Sequence, residues 1–200
     1  LEQLLAARDR YPGTPPTIVA SRVVSTEGEP IPMNVPRPRP FTSAEDRAAA
    51  AAAGCVPIRS ASFVSVLVDG LAARRHELPV ADYFLWNDDF EYTARLLRSS
   101  VGLLCPDSVT RHAAKPLADP GARFALEVRN KIWLMTRSPA LSPRERLVYG
   151  GSTLRRWLRW LLHSSNRMLL IRGFFGGASE ALRRGPRPTE EVLSAASVAS

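Results

Sequence analysis

Cysteine, long apolar runs and glycine-rich loops are what this chain uses sparingly, and each scarcity removes a class of function. Only two cysteines occur in 200 residues, Cys55 and Cys105, both in apolar surroundings without a CxxC spacing or a neighbouring histidine. Two are too few for a disulfide framework and lack metal-site spacing, so buried free thiols in a reducing compartment are predicted. No apolar run approaches the ~18 to 20 residues that a membrane-spanning helix needs, and no charged-then-apolar leader precedes Leu1. Neither secretion nor a transmembrane span is expected. No glycine-rich phosphate loop follows a predicted strand, since Gly173, Gly176 and Gly177 have the wrong surroundings. No Ser-His-Asp or Cys-His order presents itself, which leaves hydrolase and nucleotide-kinase readings without support.

Basic residues outnumber acidic ones most heavily in one region. Between Lys131 and Arg187 twelve Lys or Arg stand against Glu145 and Glu180, so the net charge of +8 is carried by the C-terminal third. Such a surface attracts phosphate groups, whether on nucleic acid, anionic lipid or a diphosphate substrate, and charge alone does not choose among them. With no zinc spacing or other recognisable nucleic-acid module, nucleic acid is not the expected partner.

What is present reads as alternating α and β. A hydrophobic content of 45% supports a sizeable core. Leu1, Leu4 and Leu5 look like a helix already under way without a cap, as if the chain had been cut upstream. Thr17 to Ser25 is β-branched enough for a strand, while five prolines between Glu27 and Pro40 demand an extended surface loop. Thr42 or Ser43 caps a helix through Ala48 to Ala53, Gly54 ends it, and Val56-Pro57-Ile58 is extended. Tyr83 to Trp86 reads as an aromatic strand end, followed by an acidic turn, a helix through Leu97, and a short strand over 101–105 closed by Pro106-Asp107. From Phe124 to Met135 the pattern is helical again. Beyond Leu154 a basic amphipathic helix is predicted, with Leu154, Trp157, Leu158, Leu161, Leu162, Met168 and Leu169 in one arc and Arg155, Arg156, Arg159, His163 and Arg167 opposite.

The chemistry concentrates in Trp86-Asn87-Asp88-Asp89-Phe90-Glu91-Tyr92. Asp88 with Glu91 makes a capping box at a helix start, where unpaired amides and the helix dipole favour carboxylates. Three carboxylates within four positions exceed what one cap needs. At the carboxyl end of a strand in an α/β layer they sit where ligands are usually handled.

Tyr83 to Tyr92, followed by Arg95, Cys105-Pro106-Asp107, Val109, His112 and Arg129-Asn130, resembles the second half of the family 2 glycosyltransferase domain, most closely the bacterial galactofuranosyltransferases. The resemblance covers roughly Leu1 to Met135. It implies an α/β fold of GT-A type, with 1–135 as the acceptor-side part, 136–187 as a basic amphipathic helical segment and 188–200 as a flexible tail. Carried onto this sequence, Asp89 becomes the general base of an inverting hexosyl transfer, and Trp86, Asp88 and Glu91 bind the acceptor. His112 becomes a ligand to a divalent cation, Mn or Mg, and Arg129 a phosphate contact. The implied donor is UDP-galactofuranose, with dTDP-rhamnose second, and the implied acceptor a lipid-linked or cell-wall glycan. That acceptor suits a cytoplasmic protein lying peripherally on the inner face of the plasma membrane, with the basic helix on anionic lipid.

The family's Asp-x-Asp, which supplies the other metal ligands, has no counterpart in these 200 residues. The chain is therefore expected to be either a fragment of an active enzyme or a truncated, inactive glycosyltransferase serving as a membrane-surface or interaction module.

Overall fold

A computed structural model of the chain describes residues 1–113 and 120–198. The chain divides into a sheet unit, from residues 1–78 and 92–116, and a helical unit, from 79–91 and 117–200. Together their elements make a mixed α/β protein.

In the sheet unit, helix α1 (Glu2–Arg10) leads into strand β1 (Ile18–Val24). The proline-rich stretch is extended, as its lack of donors requires, and contributes only the two-residue strand β2 (Arg37–Pro38). Helix α2 (Ala44–Ala52) is capped by Ser43, whose side chain accepts from the Asp46 amide, and Gly54 beyond it takes a left-handed φ of +70°. Then come β3 (Val56–Ser60), β4 (Val66–Val68) and α3 (Gly70–Arg75), the last capped by Asp69. Helix α4 (Asp88–Leu96), whose first four residues belong to the helical unit, and strand β5 (Gly102–Arg111) follow.

The five strands pair in the order β2-β3-β5-β1-β4, with β1 parallel to β5 and the other pairs antiparallel. Alternation along β1 sends Val19 to one face, packed with Leu4, Ala7, Ala50 and Leu103, and Ile18 and Ala20 to the other, packed with Ile58, Tyr92, Leu96 and Leu97. The 101–105 strand was expected to close at Pro106; instead β5 continues to Arg111. The register opposite β1 jumps from Cys105 to Val109, so Pro106, which has no N–H for the ladder, lies in a bulge. Ser108 ties the bulge back to β1 through a 2.8 Å hydroxyl contact with Ser21. Cys55 and Cys105 are buried free thiols, and burial, then the neighbouring Cys105 thiol, pushes the Cys55 thiol up to about 12.

The helical unit holds α5 (Phe124–Thr136), α6 (Pro143–His163), α7 (Arg167–Arg183) and α8 (Thr189–Val198). Ser142 and Glu145 close a capping box on α6, with Pro143 at the first position. Phe124, Val128 and Leu170 form the centre of one cluster, joined by Trp157, Trp160 and Leu161. Trp133 is fully buried, and its indole N–H donates to the Arg184 carbonyl at 2.8 Å.

Two expectations change here. The single basic helix is two helices, because Ser164–Asn166 interrupts it and the Asn166 side chain caps α7 at the Leu169 amide. Its apolar arc also splits: Trp157 and Leu161 pack inward, whereas Leu154, Leu158 and Leu162 face solvent, and Arg156 turns inward to pair with Glu127. Within 188–200, expected as a flexible tail, Thr189–Val198 are helical, and the Thr189 hydroxyl joins the Pro79 carbonyl at 2.7 Å and the Ala81 amide at 3.1 Å.

Candidate functional site

The acidic segment does not follow a strand. A single 3-10 turn over Ala81–Tyr83 leads to Phe84, and then Leu85 and Asn87 adopt left-handed φ values of +70° and +68°. Asparagine tolerates that conformation through its short polar side chain; leucine does so only under constraint. Strand propensity in Tyr83-Phe84-Leu85-Trp86 is overridden because the carbonyls that a neighbouring strand would bind are taken by a side chain instead. Asn130 Nδ2 donates to the Tyr83 carbonyl at 2.8 Å and to the Trp86 carbonyl at 2.5 Å.

Three residues of α5 hold this turn. Besides Asn130, Glu127 accepts the Asn87 side-chain amide at 2.8 Å, and Arg129 Nη2 donates to the Asp82 carbonyl at 2.8 Å. Glu127 and Asn130 are three apart on one helix face, so both reach the same segment. Glu127 is fully buried and also takes Arg156 and, at 3.3 Å, the Trp157 indole N–H. Outside the turn, Asp82 is held below the usual carboxylate range by hydrogen bonds from the Arg187 guanidinium and amide, with the Arg187 and Arg184 charges adding to them.

The turn delivers Asp88 and Asp89, both half-buried, to the first turn of α4. Asp89 Oδ1 accepts the Phe90 amide at 2.6 Å, one of the helix-start donors that otherwise lack a partner. Trp86 is half-buried, while Phe84 and Leu85 beside it are exposed. Phe90 is buried, with Lys131 Nζ 4.4 Å from its ring centre and Tyr149 packed edge-on at 5.4 Å.

Two expected site residues are not at a surface. Glu91 is 2% exposed and accepts the Ser138 hydroxyl at 2.8 Å, so it anchors α4 rather than meeting an acceptor. Arg129 is 8% exposed. Its Nε goes to Asn130 Oδ1 at 2.9 Å, its Nη1 to Glu180 at 3.0 Å and its Nη2 to the Asp82 carbonyl, while its plane lies 4.6 Å from the Trp133 ring centre. Each of its three nitrogens already makes a contact within the protein. The Arg129-Asn130 pair is a clamp on the turn.

His112 belongs to the sheet unit. It stands just past β5, half-buried, and its amide donates to the Val24 carbonyl at 2.8 Å. One imidazole does not hold a divalent cation, and among the described residues no group of three or more His, Cys, Asp and Glu converges. Among the described residues, no complete Mn or Mg centre is assembled. The sheet unit's own cleft, about 180 Å³, is lined by Leu5, Arg8, Val19, Leu67 and Asp69 and contains none of the expected site residues.

Sequence reading missed Glu127 and the role of Asn130. A glutamate and an asparagine at helical spacing in an otherwise apolar helix mark a buried polar anchor, but its partners lie about forty residues away in the chain. No described helix is long and apolar enough to cross a membrane. Comparison with protein-family profiles, with curated proteins and with solved structures finds no match to this chain.

Proposed function

We propose that Trp86 to Asp89 receives the acceptor sugar in an inverting hexosyl transfer, with Asp89 as the general base. The observation that carries this reading is the clamped turn. Two non-glycine residues are held left-handed by side chains of α5, immediately before two half-buried carboxylates. Such strain persists only where surrounding structure over-determines it, and it gathers where a fixed geometry is needed. A helix cap needs one carboxylate and no strained approach.

Trp86 offers a flat face for the apolar side of a sugar ring, and exposed Phe84 and Leu85 extend an apolar lip suited to a lipid-linked glycan. In the transfer, the acceptor hydroxyl gives its proton to a carboxylate oxygen of Asp89 as its oxygen bonds to the donor's anomeric carbon. The bond from that carbon to the nucleotide diphosphate breaks, its electron pair leaves with the diphosphate, and the anomeric configuration inverts. Asp88 holds acceptor hydroxyls.

On this reading the chain is the acceptor-side part of a GT-A-type fold. It acts in the cytoplasm on UDP-galactofuranose, or secondarily dTDP-rhamnose, and a lipid-linked or cell-wall glycan. The second reading is an inactive membrane-surface or interaction module of the same descent, favoured by the exposed leucines and arginines along α6. Titrating the chain with a galactofuranosyl disaccharide, followed by tryptophan fluorescence, tests the acceptor site. Saturable binding weakened at least about fivefold in Trp86→Ala is expected, because one stacked ring is worth roughly 1 kcal/mol or more. Absence of saturable binding refutes the site. Release of UDP from UDP-galactofuranose separates the two readings: turnover that falls about a hundredfold or more in Asp89→Asn supports the base, and binding without turnover supports the module.

A further inference from the structure

Between Pro143 and Arg183 eight arginines stand against two glutamates. Both glutamates are engaged away from the outer faces of the helices: Glu145 closes the α6 cap on Ser142, and Glu180 takes Arg129 and Arg184. No other carboxylate belongs to α6 or α7.

Helix α6 buries one side through Tyr149, Thr153, Trp157 and Trp160, and Arg156 completes that side on Glu127. The other side is apolar as well. Leu147, Leu154, Leu158 and Leu162 recur at helical spacing with exposures of 78, 55, 51 and 66%. Gly151 lies within this stripe, and a Cβ there would meet nothing within 4 Å, so the stripe is open along its middle. Arg155 and Arg159 each follow a stripe leucine by one residue, which places both along the same edge of the stripe, and both are exposed. Helix α7 repeats the design. Met168, Phe175 and Leu182 recur every seven residues with exposures of 58, 67 and 74%, beside exposed Arg172 and Arg183. Scattered exposed leucines are ordinary, but an aligned stripe edged by one sign of charge on two successive helices is a binding face.

We propose that these faces of α6 and α7 dock in the interface of an anionic phospholipid bilayer, with the leucine, methionine and phenylalanine side chains at the acyl boundary and the arginines at lipid phosphates. This goes beyond the acceptor-site reading and is independent of it. The occupant follows from charge complementarity. A nucleic acid satisfies the arginines but has no use for a row of exposed leucines. A second copy of the chain covers the stripe but sets arginines against arginines with no carboxylate between them. An anionic bilayer satisfies both at once, and since no described helix can span it, the helices lie in its plane.

Co-sedimentation of the full chain with vesicles of phosphatidylcholine, with and without phosphatidylglycerol, decides the matter. Binding is expected only to the phosphatidylglycerol vesicles, with loss at high salt. Arg155→Gln/Arg159→Gln should weaken partitioning about thirtyfold, from the attraction of each arginine for an anionic surface. Leu154→Gln/Leu158→Gln/Leu162→Gln should weaken it about a hundredfold, because each half-exposed leucine completes its burial in lipid. All five side chains face solvent, so circular dichroism should be unchanged in both variants. The proposal is overturned if anionic vesicles do not pellet the chain, if neither variant loses binding, or if lipid-free sedimentation shows a dimer that the leucine variant dissociates.

Discussion

Asn130→Ala removes the side chain on which the candidate site's geometry depends. Asn130 is fully buried and makes three bonds: to the Tyr83 carbonyl, to the Trp86 carbonyl, and from Arg129 Nε. A bond between neutral groups contributes about 1 kcal/mol net and one to a charged group about 1.5 to 3. The Tyr83 carbonyl keeps a donor, the Trp86 amide at 3.1 Å, so its loss is partial. The Trp86 carbonyl and Arg129 Nε lose this partner outright. The expected cost is about 3 kcal/mol, read as a lower urea midpoint at unchanged slope. The same variant releases the left-handed residues before Asp88, so disaccharide binding should weaken even at temperatures where the helices remain intact by circular dichroism. Asn130→Asp keeps the Arg129 bond but turns a carboxylate against two carbonyl oxygens, and should be at least as damaging. A stability loss under about 1 kcal/mol in Asn130→Ala, or disaccharide affinity equal to the parent, would refute the clamp.

Neighbouring glycines of α7 should respond oppositely to alanine. A Cβ on Gly177 would lie 2.2 Å from the Ala125 carbonyl oxygen, a backbone atom that no rotamer change can move, so α7 must shift off α5 at a cost of about 2 kcal/mol. Gly176 is open, and Gly176→Ala should stabilise by about 0.5 to 1 kcal/mol through helix propensity; urea unfolding of the two variants reads both values. Asp82 is held ionised by Arg187, so its folded pKa lies below its unfolded one. Its contribution is present above the unfolded value of about 4 and disappears as pH falls through the folded value. Thermal unfolding from neutral to strongly acid pH should show the parent falling more steeply below about pH 4 than Asp82→Asn; equal slopes would refute the pairing.

Much of the sheet unit was legible from neighbours in sequence. Strand Ile18–Val24, the Ser43 cap and the left-handed Gly54 depend on residues within a few positions of one another. Tyr83 to Trp86 shows where such reading stops. Its aromatic composition suits a strand, and what bends it into a strained turn is Asn130, distant in the chain. The acidic pair was visible, and helix α4 does begin at Asp88, but Glu91 and Arg129 proved to be buried anchors because their partners Ser138 and Glu180 also come from afar.

The basic helical segment divides the two kinds of information most clearly. Its periodicity and arginine content follow from the sequence alone, since helical spacing and charge are local properties. Which apolar residues turn inward is not local. Trp157 and Trp160 are taken by the Phe124 cluster, which leaves Leu147, Leu154, Leu158 and Leu162 on the outside. A wide apolar arc exceeds what one packing partner can cover, and only the tertiary arrangement of α5, α6 and α7 decides which part of it remains for something else to bind.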